Sequence, residues 1–264
     1  MKKNKAFYIG WQERMPLEQS RFLKKILTSL FILIPLLVLI VVLLQKPFNP
    51  HTFELGNVKE FTGVYYEKPV PILVVSEASL PKGVSNSILL VGYGKFGAEG
   101  IMTTIEEKNG KLNGKKVTLS GTLIYGSAKT LLELTKKENS LISIDSQPII
   151  EGNILMPKEI TQLTGEILDP KCYFGVMKPG EGKVHRSCAI RCISGGIPPV
   201  FRVHSLIDDK KYDYYILLGE NGEKINKDVL SYVGQEVSLT GGKNHQQGWN
   251  ILYVNTNSIA KVEY

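Results

Sequence analysis

The chain has 264 residues, a net charge of +7, 43% hydrophobic and 22% charged residues. That length allows one large domain or two small ones, and the composition excludes wholesale disorder. Residues 1–46 carry eight Lys/Arg against two Glu, so +6 of the charge lies there and the other 218 residues carry +1. A folded nucleic-acid binder keeps its basic excess on the folded surface, where phosphates are neutralised. Nucleic acid is therefore excluded as a partner, and the charge pattern points to a membrane.

Residues 1–23 read as a cytoplasmic tail whose Phe7-Tyr8-Ile9-Gly10-Trp11 suits the headgroup zone. Residues 24–46 read as a transmembrane helix. Its apolar run, Ile26 to Leu44, has no charge over nineteen residues and reaches roughly 29 Å as a helix, close to the hydrocarbon thickness. Pro35 lies mid-run, which membrane spans tolerate. Lys2, Lys3, Lys5, Arg14, Arg21, Lys24 and Lys25 precede the run, whereas only Lys46 and Lys59 lie near its other end. The positive-inside rule then puts the N-terminus in the cytoplasm and the remainder outside it. A cleavable signal peptide is the competing reading, but its apolar region is usually about 7–15 residues and ends in a small-residue site. Gln45-Lys46-Pro47-Phe48-Asn49-Pro50 offers no such site. Residues 47–59 read as a linker.

Beyond the linker the texture is mainly β. Ile72–Val75, Ser87–Val91 and Val117–Tyr125 are short, β-branched or aromatic runs punctuated by Gly, Asn and Lys. Lys129–Lys137 fits helix or strand, and helix otherwise looks scarce outside the membrane. Phe61-Thr62-Gly63-Val64 resembles Leu163-Thr164-Gly165-Glu166. Gly114-Lys115-Lys116-Val117-Thr118-Leu119-Ser120-Gly121 resembles Gly234-Gln235-Glu236-Val237-Ser238-Leu239-Thr240-Gly241, and Ile88–Gly92 loosely matches Tyr215–Gly219. The order is the same in both halves, but the second spacing is about eighteen residues longer, with the excess around Cys172–Pro199. Two copies of one β module are expected, at residues 60–155 and 160–264. The Gly-x-x-Val-x-Leu-x-Gly pattern after a Thr-Gly strand resembles small bacterial OB-fold domains, which implies two five-stranded barrels and names no ligand.

All three cysteines fall within residues 169–199, together with His185. Cys172, His185, Cys188 and Cys192 make a Cys₃His set suited to tetrahedral zinc, and iron or copper would accept the same donors. Gly175, Gly180, Gly182, Gly195 and Gly196 would let a loop wrap such a point. Two other readings stay open. In an oxidising compartment Cys172 would pair with Cys188 or Cys192, stapling the loop and leaving one free thiol. Alternatively a thiol lowered in pKa by Lys171, Lys178, Lys183, Arg186 or Arg191 would act as nucleophile, with His185 as base. Pro179-Gly180-Glu181-Gly182-Lys183 lacks the Gly-x-x-x-x-Gly-Lys-Ser/Thr pattern of a phosphate loop. Gly195–Pro199 reads as a turn back to a strand at Val200–Val203. His204 and His245 show no partner in sequence, and Trp249, Ile251 and Tyr253 read as one strand face.

The run Lys171-Cys172-Tyr173 … Pro179-Gly180-Glu181-Gly182-Lys183 … His185-Arg186-Ser187-Cys188 … Cys192 … Gly195-Gly196-Ile197-Pro198-Pro199 resembles a signature of bacterial single-pass membrane proteins. Phe7-Tyr8-Ile9-Gly10 resembles their Phe-Tyr-x-Gly tail. The resemblance implies a bacterial inner (cytoplasmic) membrane and transfers no residue role. The expected function is a membrane-anchored extracytoplasmic binding module that holds a metal or cofactor in its Cys/His loop, or docks a membrane redox or envelope complex. A thiol-disulfide redox enzyme and a structural assembly subunit with a disulfide-stapled loop are the alternatives.

Overall fold

The computed structural model describes residues 15–45, 51–77, 80–81, 84–135, 137–145, 159–175, 177–205 and 211–262. The Phe7–Trp11 motif and most of the expected tail lie outside these residues. The chain divides into two compact units, Met1–Phe48 and Asn49–Tyr264.

In the first unit, α1 (Leu17–Leu44) buries none of its side chains and is long and apolar enough to cross a membrane. It begins seven residues before the expected start. The added turns hold Glu18 and Arg21, so the helix is about 42 Å long and exceeds the ~30 Å that a hydrocarbon core requires.

The second unit is two closed five-stranded β-barrels, as the OB resemblance implied. The first contains β1 (Thr52–Tyr66), β2 (Ile72–Val75), β3 (Ser87–Val91), α2 (Glu99–Asn109), β4 (Lys116–Gly126), β5 (Lys129–Leu134) and β6 (Leu141–Ile144). Its sheet runs β1-β2-β3-β5-β4, with β6 on the outside of β4, and closes through β1 with β4. The second contains β7 (Glu159–Leu168), α3 (Pro170–Tyr173), α4 (Gly182–Ser194), β8 (Val200–His204), β9 (Tyr212–Gly219), β10 (Glu236–Gln246), β11 (Trp249–Val254) and β12 (Ala260–Lys261). Its sheet runs β7-β8-β9-β11-β10 and closes through β7 with β10. Both barrels have a single parallel pairing among these strands, β3 with β5 and β9 with β11.

The duplication is visible at single residues. Gly63 on β1 pairs with both Val75 and Val117, and Gly165 on β7 pairs with both Val203 and Val237. A Cβ on Gly63 would stand 2.3 Å from Val74 O, and one on Gly165 2.2 Å from Arg202 O. Gly121 and Gly241 are matched in the same way, against Glu133 O and Tyr253 O. Each barrel thus closes around two positions where a neighbouring carbonyl leaves no room for a side chain.

Three expectations change. Thr52 pairs with Tyr125, and Val58 with Thr122 after a register shift, so most of the span read as linker is the first half of β1. Lys129–Leu134 is strand, which resolves the ambiguity there. Helix is less scarce than expected: α2 buries Met102 and Ile105, and Gly110 (φ +76°) stops it. Gly100, Thr103 and Thr104 weaken its propensity, which is why its pattern was faint.

Each barrel has its own core, one around Leu73, Ile88, Leu119 and Leu132, the other around Phe201, Leu217, Leu239 and Leu252. A third core lies between the barrels. Ile72, Leu89, Val91, Ile124 and Leu131 of the first meet Val200, Tyr214, Ile216, Leu218, Trp249 and Ile251 of the second. Trp249, Ile251 and Tyr253 are therefore barrel wall, turned to the junction. Trp249 is fully buried, donates to Ser87 O at 3.3 Å and lies under the Lys129 ammonium.

Gly63→Ala and Gly165→Ala should each lower unfolding stability by about 1–3 kcal/mol through overpacking. Gly100→Ala, whose Cβ meets nothing within 4 Å, should raise it by about 0.5–1 kcal/mol. Guanidinium titration of the detergent-solubilised chain, followed by tryptophan fluorescence, measures all three.

Candidate metal centre

The segment expected to be a loop is two helices. Asp169, itself fully buried, caps α3: its carboxylate accepts from Lys171 N at 3.0 Å and Cys172 N at 3.3 Å, with Pro170 at the first helical position. That cap fixes the backbone of Cys172. The α4 N-terminus is held by Glu166 of β7, which accepts from Gly182 N at 2.5 Å and pairs with Arg202 at 3.0 Å. His185, Cys188 and Cys192 follow at i, i+3 and i+7, so the helix presents them along one face. His185, Ala189, Cys192 and Ile193 are its buried positions, and that spacing was readable in sequence as helical.

The structure brings His185, Cys188 and Cys192 each within reach of Cys172, but not all four expected ligands within reach of one another. Cys172 Sγ is 3.9 Å from Cys188 Sγ and 3.9 Å from Cys192 Sγ, and all three thiols are free. One donor atom each of Cys172, His185 and Cys188 lies within 4.8 Å of the others, and so do those of Asp169, Cys172 and Cys192. For a tetrahedral ion with metal–sulfur bonds of about 2.3 Å, two sulfurs should stand about 3.8 Å apart. Cys172 already holds that spacing to each of the other two thiols.

Two residues outside the expected set complete the site. Asp169 is the first. Lys95, in the β3–α2 loop of the other barrel, is the second: its ammonium donates to Cys188 Sγ at 2.9 Å, which raises the Lys95 pKa. The Asp-Pro pair before a short apolar run was a readable cap signal. Nothing in the sequence connects Lys95 with a cysteine 93 residues away.

Gly195 and Gly196 do not wrap the site, as expected of them. They admit the Lys95 loop. A Cβ on Gly195 would stand 2.0 Å from Lys95 O, and one on Gly97 would stand 2.2 Å from Gly196 O, while Gly97 N donates to Gly195 O at 3.0 Å. Lys171 ties the same seam from the other side. Its buried ammonium pairs with Glu133 and donates to Gly92 O and Gly94 O, at 2.7 and 2.5 Å.

Protonation divides the donors: a metal would have to displace the Cys172 proton, whereas His185 is already in its ligand form. The Cys172 thiol is pushed up by its hydrogen bond with Cys192, by burial and by the Asp169 charge, so it keeps its proton without a metal. Burial holds His185 below its ordinary value, opposed by Asp169 and aided by Lys95, which leaves the imidazole neutral at neutral pH. Its Nε2 is buried without a hydrogen-bond partner among the described residues. An unpaired buried imidazole nitrogen costs free energy that a new bond would recover.

Comparison with family models, curated proteins and solved structures finds no match to this chain. The chemistry rests on the residues themselves.

The other histidines are structural. His51 Nδ1 donates to Tyr173 O at 2.7 Å, and its Nε2 meets the Ser127 hydroxyl at 2.9 Å. His204 stacks on Tyr212, and His245 bonds Asn250 Oδ1 at 2.9 Å. A separate cleft of about 590 Å³ is lined by Tyr65, Met102 and Tyr253 and rimmed by Glu67, Glu106 and Glu220.

Lys171→Met should cost about 3–5 kcal/mol, because Glu133 is left buried without its partner. Adding Glu133→Leu should recover part of that loss, read by the same guanidinium titration. Burial depresses the His51 pKa below 6.5, so its contribution to stability is full above about pH 6.5 and is lost as the pH falls through the folded value. Melting temperature should therefore drop from pH 7 to pH 5, and His51→Gln should flatten part of that slope.

Proposed function

We propose that this chain is a membrane-anchored binding module whose two β-barrels lie on the extracytoplasmic side of a bacterial inner membrane and hold a metal at Cys172, His185, Cys188 and Cys192. The observation that carries the reading is the pair of 3.9 Å sulfur–sulfur separations about Cys172, with His185, whose buried Nε2 has no hydrogen-bond partner among the described residues, within reach of Cys172 and Cys188. Three thiolates and an imidazole select a soft or borderline ion such as zinc, iron or copper. Asp169 and the Lys95 ammonium would form the surrounding shell that orients the donors. The orientation rests on the basic residues before the apolar helix. A partner would be a second membrane or periplasmic protein of a redox or envelope complex.

The Lys95–Cys188 contact favours a second reading, thiol-disulfide chemistry with Cys188 as attacking sulfur. The Lys95 ammonium donates to Cys188 Sγ at 2.9 Å, and Cys172 Sγ lies 3.9 Å away, within reach of a mixed disulfide formed at Cys188.

Elemental analysis of the full chain, purified anaerobically in detergent, should find a soft transition metal that Cys172→Ala removes. Metal-free protein that reduces insulin disulfides would favour the second reading instead. Alkaline phosphatase fused after residue 264 should be active in cells, and an inactive fusion with an active cytoplasmic reporter would reverse the orientation.

A further inference from the structure

The five donors around Cys172 do not form one set of four. They fall into two triads, Cys172–His185–Cys188 and Asp169–Cys172–Cys192, which share only the Cys172 sulfur. Within each triad the donor atoms lie within 4.8 Å of one another, and no set of four described donors does so. A mononuclear tetrahedral site needs all four donors at about 3.3–3.8 Å from one another. Here Cys172 sits 3.9 Å from each of two sulfurs that belong to different triads.

The two triads also stand on different supports. The first uses α4 at His185 and Cys188, with the Lys95 loop of the other barrel against it. The second is deeper: Asp169 is 0% and Cys192 1% exposed. Asp169 gives one lone pair on each oxygen to the α3 backbone, and each oxygen keeps another for a ligand. His185 is 4% exposed, its Nε2 has no hydrogen-bond partner among the described residues, and one of its ring nitrogens lies within 4.8 Å of the Cys172 and Cys188 sulfurs.

We propose that the centre binds two metal ions, with the Cys172 thiolate bridging them. One ion takes His185 and Cys188, the other takes Asp169 and Cys192, and each keeps a coordination position open for an exogenous ligand. This rests on the metal reading above. Donor chemistry separates the two ions, since the His/Cys/Cys set is softer than the Asp/Cys/Cys set.

Cobalt(II) titration of the anaerobic, metal-stripped full chain in detergent tests the proposal, with absorption and paramagnetic resonance recorded together. Thiolate-to-cobalt absorption should rise to two equivalents per chain. The resonance signal should grow to one equivalent and then fall as the second ion couples through the shared sulfur. Cys192→Ala and Cys188→Ala should each bind one cobalt with an uncoupled signal, and Cys172→Ala should lose both ions, with circular dichroism confirming that each variant is folded. Saturation at one cobalt in the unmodified chain would overturn the two-ion proposal and leave the metal reading standing. No cobalt bound would overturn both. Two cobalt ions without coupling, or retained by folded Cys172→Ala, would refute the bridge.

Discussion

The apolar seam between the two barrels is the constraint on which the rest of the second unit depends. A small barrel usually leaves its outer wall to solvent, so its strands alternate apolar and polar residues. Here β2, β3 and β5 turn Ile72, Leu89, Val91 and Leu131 outward, and β8, β9 and β11 answer with Val200, Ile216, Leu218, Trp249 and Ile251. The same strands of each copy form the junction. Both faces of these strands are buried, so they read as continuous runs such as Ser87–Val91. At roughly 25 cal/mol per Å² of apolar surface, such a seam stabilises each barrel by more than isolated turns or surface pairs would.

The Cys/His cluster lies along this seam. Cys192 is a member of the junction core, and Phe174 and Tyr173, just beyond Cys172, pack into it as well. Lys171 reaches across to Glu133 and the carbonyls of Gly92 and Gly94, and Lys95 reaches back to Cys188. Two cations thus cross the boundary in opposite directions, both at the loop that follows β3. A displacement of one barrel against the other would move Lys95 relative to Cys188, while Cys172 and α4 would stay fixed to the second barrel. The geometry of the thiols is therefore local to one barrel, and their electrostatic surroundings belong to both.

Much of this architecture was legible in sequence, because the duplicated glycine patterns mark places where sterics permit one residue only. Gly63, Gly121, Gly165 and Gly241 each face a carbonyl too close for any Cβ. The apolar helix was legible for a similar reason, since Ile26–Leu44 passes without a charge. What escaped was of two kinds. The α4 helix was hidden by its glycine-rich flanks, although His185, Cys188 and Cys192 share a helical period. The start of β1 was hidden by its position after Pro47 and Pro50, where a linker is the usual reading. Lys95 and Glu133 were illegible in principle, because their roles arise only when two barrels dock.

The insertion that distinguishes the second barrel explains why only that copy carries the cluster. In the first barrel α2, between β3 and β4, fills the barrel end with Met102 and Ile105. The second has no such helix between β9 and β10, and its core is completed there by Ile225, Val229 and Val233. It gains α4 between β7 and β8, which sends Ala189 and Ile193 into the barrel core while Cys192 faces the seam. One helix thus packs the barrel on one side and presents donors on the other. Because Ala189 and Ile193 fix its rotation, the thiols cannot turn away from Cys172 without opening the barrel core. The cluster is held in place by packing alone, which puts the cost of keeping these side chains close together on the fold.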